Sequence, residues 1–126
     1  MARVLVVDDE DVLLEMIATL IDDLGYESIV ATSGLEALQL LSTSDTTPAL
    51  IISDVMMPKM NGVEFSKAVR ENPNLRGVPI ILMSAAGKPI NSQVADLFLH
   101  KPFDLDTLAD LIEQFLDQSS TKRDSA

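Results

Sequence analysis

The chain has 126 residues and no cysteine, which suits one compact domain and excludes disulfides and thiolate metal sites. Its 9 Lys and Arg against 20 Asp and Glu leave a net charge of −11. That argues against nucleic-acid binding over a broad face, where phosphates must be neutralised, and favours a cation or a basic partner. No apolar run approaches the roughly 20 residues of a membrane span. The N-terminus reaches acid after a few apolar residues, unlike a secretory signal, so a cytoplasmic protein without membrane insertion is expected.

The first strand is predicted at Val4–Val7 and is followed at once by the acids Asp8-Asp9-Glu10. A helix follows with Leu13, Ile17, Leu20 and Leu24 on one stripe, and Gly25 suits the position just past its end. Ser28–Ala31 reads as a second strand, and Ser33-Gly34-Leu35-Glu36 as a capping box opening a helix to about Ser42. Leu50–Ser53 is a third strand, closed by Asp54; Asn61 and Glu64 begin a helix that ends near Asn72-Pro73. Ile80–Met83 is a fourth strand, with Ser84 at its end. Leu97–His100 is a fifth, with Lys101-Pro102 after it. Asp104 opens a last helix with Leu105, Leu108, Ile112 and Phe115 on one face. The polar stretch Gln118–Ala126 carries no periodicity and reads as a frayed end or a linker. The domain is therefore expected to span residues 1–118, with 119–126 as its tail.

Short, nearly continuous apolar strands are those of a parallel sheet buried on both faces. Their alternation with helices predicts an α/β fold: a doubly wound, five-stranded parallel sheet of order 2-1-3-4-5, a flavodoxin-like (βα)5. Winding reverses between strands 1 and 3, and ligands bind at such a switch point, at the carboxyl ends of the strands. Asp8, Asp9 and Asp54 fall there. Three carboxylates together should raise a pKa or recruit a cation, and oxygen-only ligands suit Mg²⁺. Taken singly, each residue has a plainer reading. Asp8-Asp9-Glu10 is also an acidic first helical turn, Asp54 a turn residue, Lys101 a solvated cation and Ser84 a loop serine. Phe98 is also a core aromatic, and His100 is read as structural.

Together, Asp8-Asp9, then Asp54 with Met57-Pro58 and Gly62, then Ser84-Ala85, then Lys101-Pro102-Phe103 resemble the receiver domain of two-component response regulators, from about Arg3 to Leu116. The resemblance implies that Asp54 is the phosphoacceptor, taking a phosphoryl group from a sensor histidine kinase or histidine phosphotransfer protein. It implies Mg²⁺ held by Asp9, Asp54 and the backbone carbonyl of Met56, with Asp8 acting through water. Lys101 and Ser84 would contact the phosphoryl oxygens. Ser84 and Phe98 would be switch residues, and the Lys101-Pro102 bond would be cis. Output would pass to a protein target or an effector domain outside these residues. Such a domain catalyses only its own phosphorylation and dephosphorylation and is not an enzyme in the usual sense.

Two departures stand out. Ser84 to Lys101 spans 17 positions, fewer than is usual in receivers, which predicts a short, mobile helix between the fourth and fifth strands. Leu14 occupies a place near the kinase-docking face where many receivers carry a basic or polar residue. It is either an apolar anchor for a partner helix or a widening of the buried stripe. Three other functions compete. An aspartyl-phosphate phosphatase would need a second acid two residues after the nucleophile, where Met56 stands. A flavin binder would need a Ser/Thr/Gly-rich loop after strand 1. A receiver-shaped scaffold that is never phosphorylated would not require the intact set of acids, Ser84 and Lys101.

Overall fold

The computed structural model describes residues 2–43, 47–85 and 94–125. Five parallel strands, β1 (Arg3–Val7), β2 (Glu27–Ala31), β3 (Leu50–Asp54), β4 (Ile80–Ser84) and β5 (Leu97–His100), lie in the order β2-β1-β3-β4-β5. The helices are α1 (Asp11–Asp23), α2 (Gly34–Thr43), α3 (Gly62–Glu71) and α4 (Leu105–Ser125). Strand positions and sheet order are as expected from the apolar runs. The short helix expected between the fourth and fifth strands, on the spacing of Ile90, Val94 and Leu97, falls mostly on residues 86–93, which lie outside the described residues; at its described end residues 94–96 are not helical and Leu97 begins β5.

The central strands β1, β3 and β4 are nearly continuous apolar runs because both faces of the sheet are covered there, whereas the edge strand β2 carries Glu27 and Ser28 and leaves Val30 exposed. Side chains alternate between two cores. Val4, Val6, Leu50, Ile52, Ile81, Met83 and Leu99 pack with α1 and α4. Leu5, Val7, Ile51, Ile80 and Leu82 pack with Ala37 of α2 and with Phe65 and Val69 of α3. The result is three layers, with the strand ends open along one edge.

The helix ends follow local chemistry. Gly25, at φ 94°, lets its own amide reach the Asp22 carbonyl and the Tyr26 amide reach the Ile21 carbonyl. This is the double bond of a Schellman stop. At α3 the capping box is complete: the Asn61 side chain accepts from the Glu64 amide and the Glu64 carboxylate accepts from the Asn61 amide. At α2 it is modified. Ser33 Oγ accepts from the Glu36 amide, but the Glu36 carboxylate reaches one residue further back, to the Thr32 amide. Asp104 caps α4 through the Thr107 amide.

Two readings of the helices are corrected. The buried stripe of α1 is centred on Leu14, Ile17 and Ile21, while Leu13, Leu20 and Leu24 flank it half-buried. Leu14 is only 6% exposed, so it is a core residue and not an anchor for a partner; Val12 and Met16 are the exposed apolar residues of that helix. The backbone of α4 continues as helix to Ser125, past the end of its apolar stripe. No glycine or proline interrupts the segment after Pro102, so local propensity does not stop it.

Candidate phosphoryl-transfer site

The carboxyl ends of β1, β3, β4 and the residue after β5 deliver Asp8, Asp54, Ser84 and Lys101 to one crevice. Main-chain bonds extend the ladders past the last strand residues and fix these positions. The Asp8 amide donates to the Ala31 carbonyl at 3.1 Å, the Val55 amide to Met83 at 2.9 Å and the Lys101 amide to Ser84 at 2.9 Å. The Lys101-Pro102 bond is cis.

Asp8 is fully buried, Asp54 is 5% exposed and Ser84 3%, whereas Asp9 is exposed. Lys101 Nζ lies 3.3 Å from Asp54 Oδ1 and 3.9 Å from Asp8 Oδ2. Asp8 Oδ1 accepts the Glu10 amide at 2.9 Å; Asp8 Oδ2 is buried without a hydrogen-bond donor among the described residues. Burial, foremost, pushes the Asp8 carboxyl up to about 6; the charges of Asp54 and Asp9 push the same way, against the Glu10 amide and the Lys101 ammonium.

Among the described residues, Lys101 thus pairs with two acids of a cluster of three. Carboxylate oxygens of Asp8, Asp9 and Asp54 all come within 4.8 Å of one another. A buried carboxylate oxygen lacking a donor is costly, and a hard cation among oxygen ligands is the partner that removes the cost. The residues present therefore fit a divalent metal.

Beyond Asp54 the chain turns sharply. Lys59 adopts φ 69°, and the Gly62 amide donates to the Val55 carbonyl at 2.9 Å. A Cβ on Gly62 would stand 2.9 Å from Val55 Cα and overlap the Asp54 carbonyl oxygen. The sequence displays Gly62 beside the cap of α3 but does not reveal this contact; an Asn-Gly pair at a helix start is the only local signal. Met56, two residues past Asp54, is 65% exposed. Phe98 is half-buried against the α2–α3 core, and His100 is exposed. Beside Lys101 opens a cleft of about 400 Å³ between α1 and the turn after β5, lined by Glu10, Met16, Ala85, Phe103 and Leu105 among others. The sequence reading did not single out this cleft, because its walls come from segments far apart in the chain.

Comparison with known proteins bears on this geometry. The family model described as "Response regulator receiver domain" matches residues 4–113. The transcriptional regulatory protein CpxR homolog of Haemophilus influenzae is 37% identical over 96% of this chain and 53% of its own length. The chain thus spans about half the length of that relative. Among solved structures, the chemotaxis protein CheY4 of Vibrio cholerae is 36% identical with a TM-score of 0.83, covering 92% of this chain and 99% of that one. The response regulator protein TrrA of Thermotoga maritima, solved in complex with Mg(2+)-BeF, is 31% identical with a TM-score of 0.81, over 92% of this chain and all of the other, 100%.

Proposed function

This chain belongs to the response regulator receiver family, a family of signalling domains, and on that premise we propose that Asp54 is its phosphoacceptor and that the acids around it hold Mg²⁺. The carrying observation is the 3.3 Å contact of Lys101 with Asp54 beside Asp8 and Asp9: a nucleophile, a fixed cation and a metal-binding set in one crevice.

Phosphoryl transfer demands mostly positioning and charge neutralisation. A carboxylate needs no general base to act as nucleophile. An Asp54 oxygen attacks phosphorus of a phosphohistidine. The O–P bond forms, the P–N bond breaks, and its electron pair leaves on the imidazole nitrogen, which takes up a proton. Asp9, Asp54 and the Met56 carbonyl would hold Mg²⁺, with Asp8 acting through water, and the ion would offset charge on the transferring oxygens. Lys101 exchanges its contact with Asp54 for a phosphoryl oxygen, as a point charge. The Ser84 hydroxyl donates to another. Water later attacks the same phosphorus, returning the Asp54 carboxylate and inorganic phosphate.

The donor is a sensor histidine kinase or a phosphotransfer protein, approaching over the cleft beside Lys101. Phosphorylation draws Ser84 inward and Phe98 after it, shifting the population of the face around β5 toward a form read by a protein target or an effector domain. Nothing in the site favours a phosphatase, because Met56 and not an acid stands two residues beyond Asp54. The test is incubation with acetyl phosphate, with Mg²⁺ or with EDTA, followed by intact mass. One phosphoryl adduct with Mg²⁺, and none with EDTA, is expected. No adduct under either condition would favour the non-phosphorylated scaffold.

A further inference from the structure

The geometry points to Asp96, held by Arg70, as the residue that sets the register of β5 and so positions Lys101, an inference that rests on the role just proposed for Lys101.

The edge strand β5 is four residues long and pairs only with β4, Ile81 opposite Leu97 through Ser84 opposite His100. Register is strongly specified when one strand face is polar, since a one-residue slip then exposes the apolar set. Here Leu97, Phe98 and Leu99 are all apolar. Leu97 and Leu99 serve one core and Phe98 the other. A slip exchanges apolar for apolar, so patterning discriminates weakly. It would still move Lys101 by about one strand rise, roughly 3.3 Å, and point its side chain to the other face. The 3.3 Å contact with Asp54 would not survive.

What fixes the register lies at the other end of the strand. The Asp96 amide donates to the Ile80 carbonyl at 2.8 Å, and Asp96 Oδ2 accepts the Ile80 amide at 2.8 Å. One residue thus closes both sides of a rung at the start of β4, and the carboxylate stands in for a backbone carbonyl. The same oxygen accepts Arg70 Nη2 at 2.8 Å. Arg70, from the last turn of α3, also donates from Nε to the Val94 carbonyl at 3.0 Å and from Nη1 to the carbonyls of Arg76 and Val78 at 2.9 and 2.7 Å. Its planar fork therefore joins α3, the approach to β4 and the approach to β5. A lone surface ion pair contributes little, but a guanidinium with four acceptors specifies one geometry. From this anchor the strand runs five residues to Lys101, whose amide closes the ladder on Ser84.

The experiment is a double-mutant cycle on the full chain. Phosphorylation by acetyl phosphate is timed for wild type, Asp96→Ala, Lys101→Ala and the double variant. Mg²⁺ affinity is measured alongside by calorimetry. Misplacing a catalytic group by an ångström costs up to about a hundredfold in rate, so Asp96→Ala is expected to slow phosphorylation by about tenfold or more. In the Lys101→Ala background the same change should do almost nothing, because Asp96 acts through Lys101. Mg²⁺ should still bind, and no more weakly than in wild type, since its carboxylates lie at the ends of β1 and β3 and lose a competing ammonium when Lys101 moves. Asp96→Asn, which keeps an acceptor for the Ile80 amide, should recover most of the rate and serves if the alanine variant does not fold. Equal rate losses in both backgrounds, or an unchanged rate in Asp96→Ala, would overturn the positioning role while leaving the phosphoacceptor reading intact. A wild-type chain that takes no phosphoryl group would instead overturn the reading on which it rests.

Discussion

Asp8 carries the largest burial cost in the site. It is fully buried, one of its oxygens lacks a donor, and its pKa is pushed up to about 6. In the folded chain it keeps a proton that the unfolded chain, near 3.8, has already released. Metal-free stability therefore falls as pH rises from about 4 to about 6 and stays low above that. Asp8→Asn is expected to stabilise the metal-free protein at neutral pH, by on the order of 1–3 kcal/mol, while weakening Mg²⁺ binding. Chemical denaturation with EDTA and metal titration check the two halves. In the wild type, Mg²⁺ affinity should drop about tenfold from pH 7 to pH 5, because the metal requires the ionised carboxylate; in Asp8→Asn most of that dependence should vanish. Met56 is the second residue to test. If its exposed side chain two residues past Asp54 shields an acyl phosphate from water, Met56→Asn should alter the dephosphorylation half-life, measured by the decay of the adduct. An unchanged half-life would remove that role.

Among the elements, α3 matters most to the site because its first residue lies against the backbone of Asp54 and Val55. Gly62 admits no Cβ: the Asp54 carbonyl and Val55 Cα occupy the space. Gly62→Ala should cost about 1–3 kcal/mol by overpacking and slow phosphorylation, whereas Asn61→Ala, one residue away, should cost about 1 kcal/mol through the lost cap with little effect on rate. Thermal melts and timed phosphorylation of both variants separate the contributions. The caps themselves were legible in the sequence, because Asn61-Glu64 and Ser33-Glu36 are local signals. So were all five strands, because each is short and mostly apolar, nearly continuously so where burial is on both faces. The buried face of α1 lies one step from the expected stripe. Leu13, Leu14, Ile17, Leu20, Ile21 and Leu24 offer two overlapping stripes, and only packing against the sheet and α4 chooses Leu14, Ile17 and Ile21. The Arg70–Asp96 link was invisible because the partners are 26 residues apart and neither belongs to a motif.

For the whole molecule, topology does what no segment can: it brings residues 8, 54, 84 and 101 to one edge. Asp8, Asp54 and Lys101 were legible as a set because each falls at a strand end and the order 2-1-3-4-5 converges those ends. Their distances, and the burial that makes Asp8 costly, were not, since both depend on packing between distant segments. A metal that binds only the folded chain stabilises it by linkage. At a hundred times its Kd, Mg²⁺ should add about 2.7 kcal/mol, seen as a rise in melting temperature that sodium chloride of equal ionic strength does not reproduce. The central claim is that this edge makes an acyl phosphate on one particular carboxylate. Its most direct test is to phosphorylate the chain with acetyl phosphate and Mg²⁺, trap the acyl phosphate by borohydride reduction, and map the reduced position by peptide mass spectrometry. Reduction at position 54 alone, absent from Asp54→Asn, is the predicted result; reduction at another residue, or none in a chain that has taken up phosphate, would contradict it.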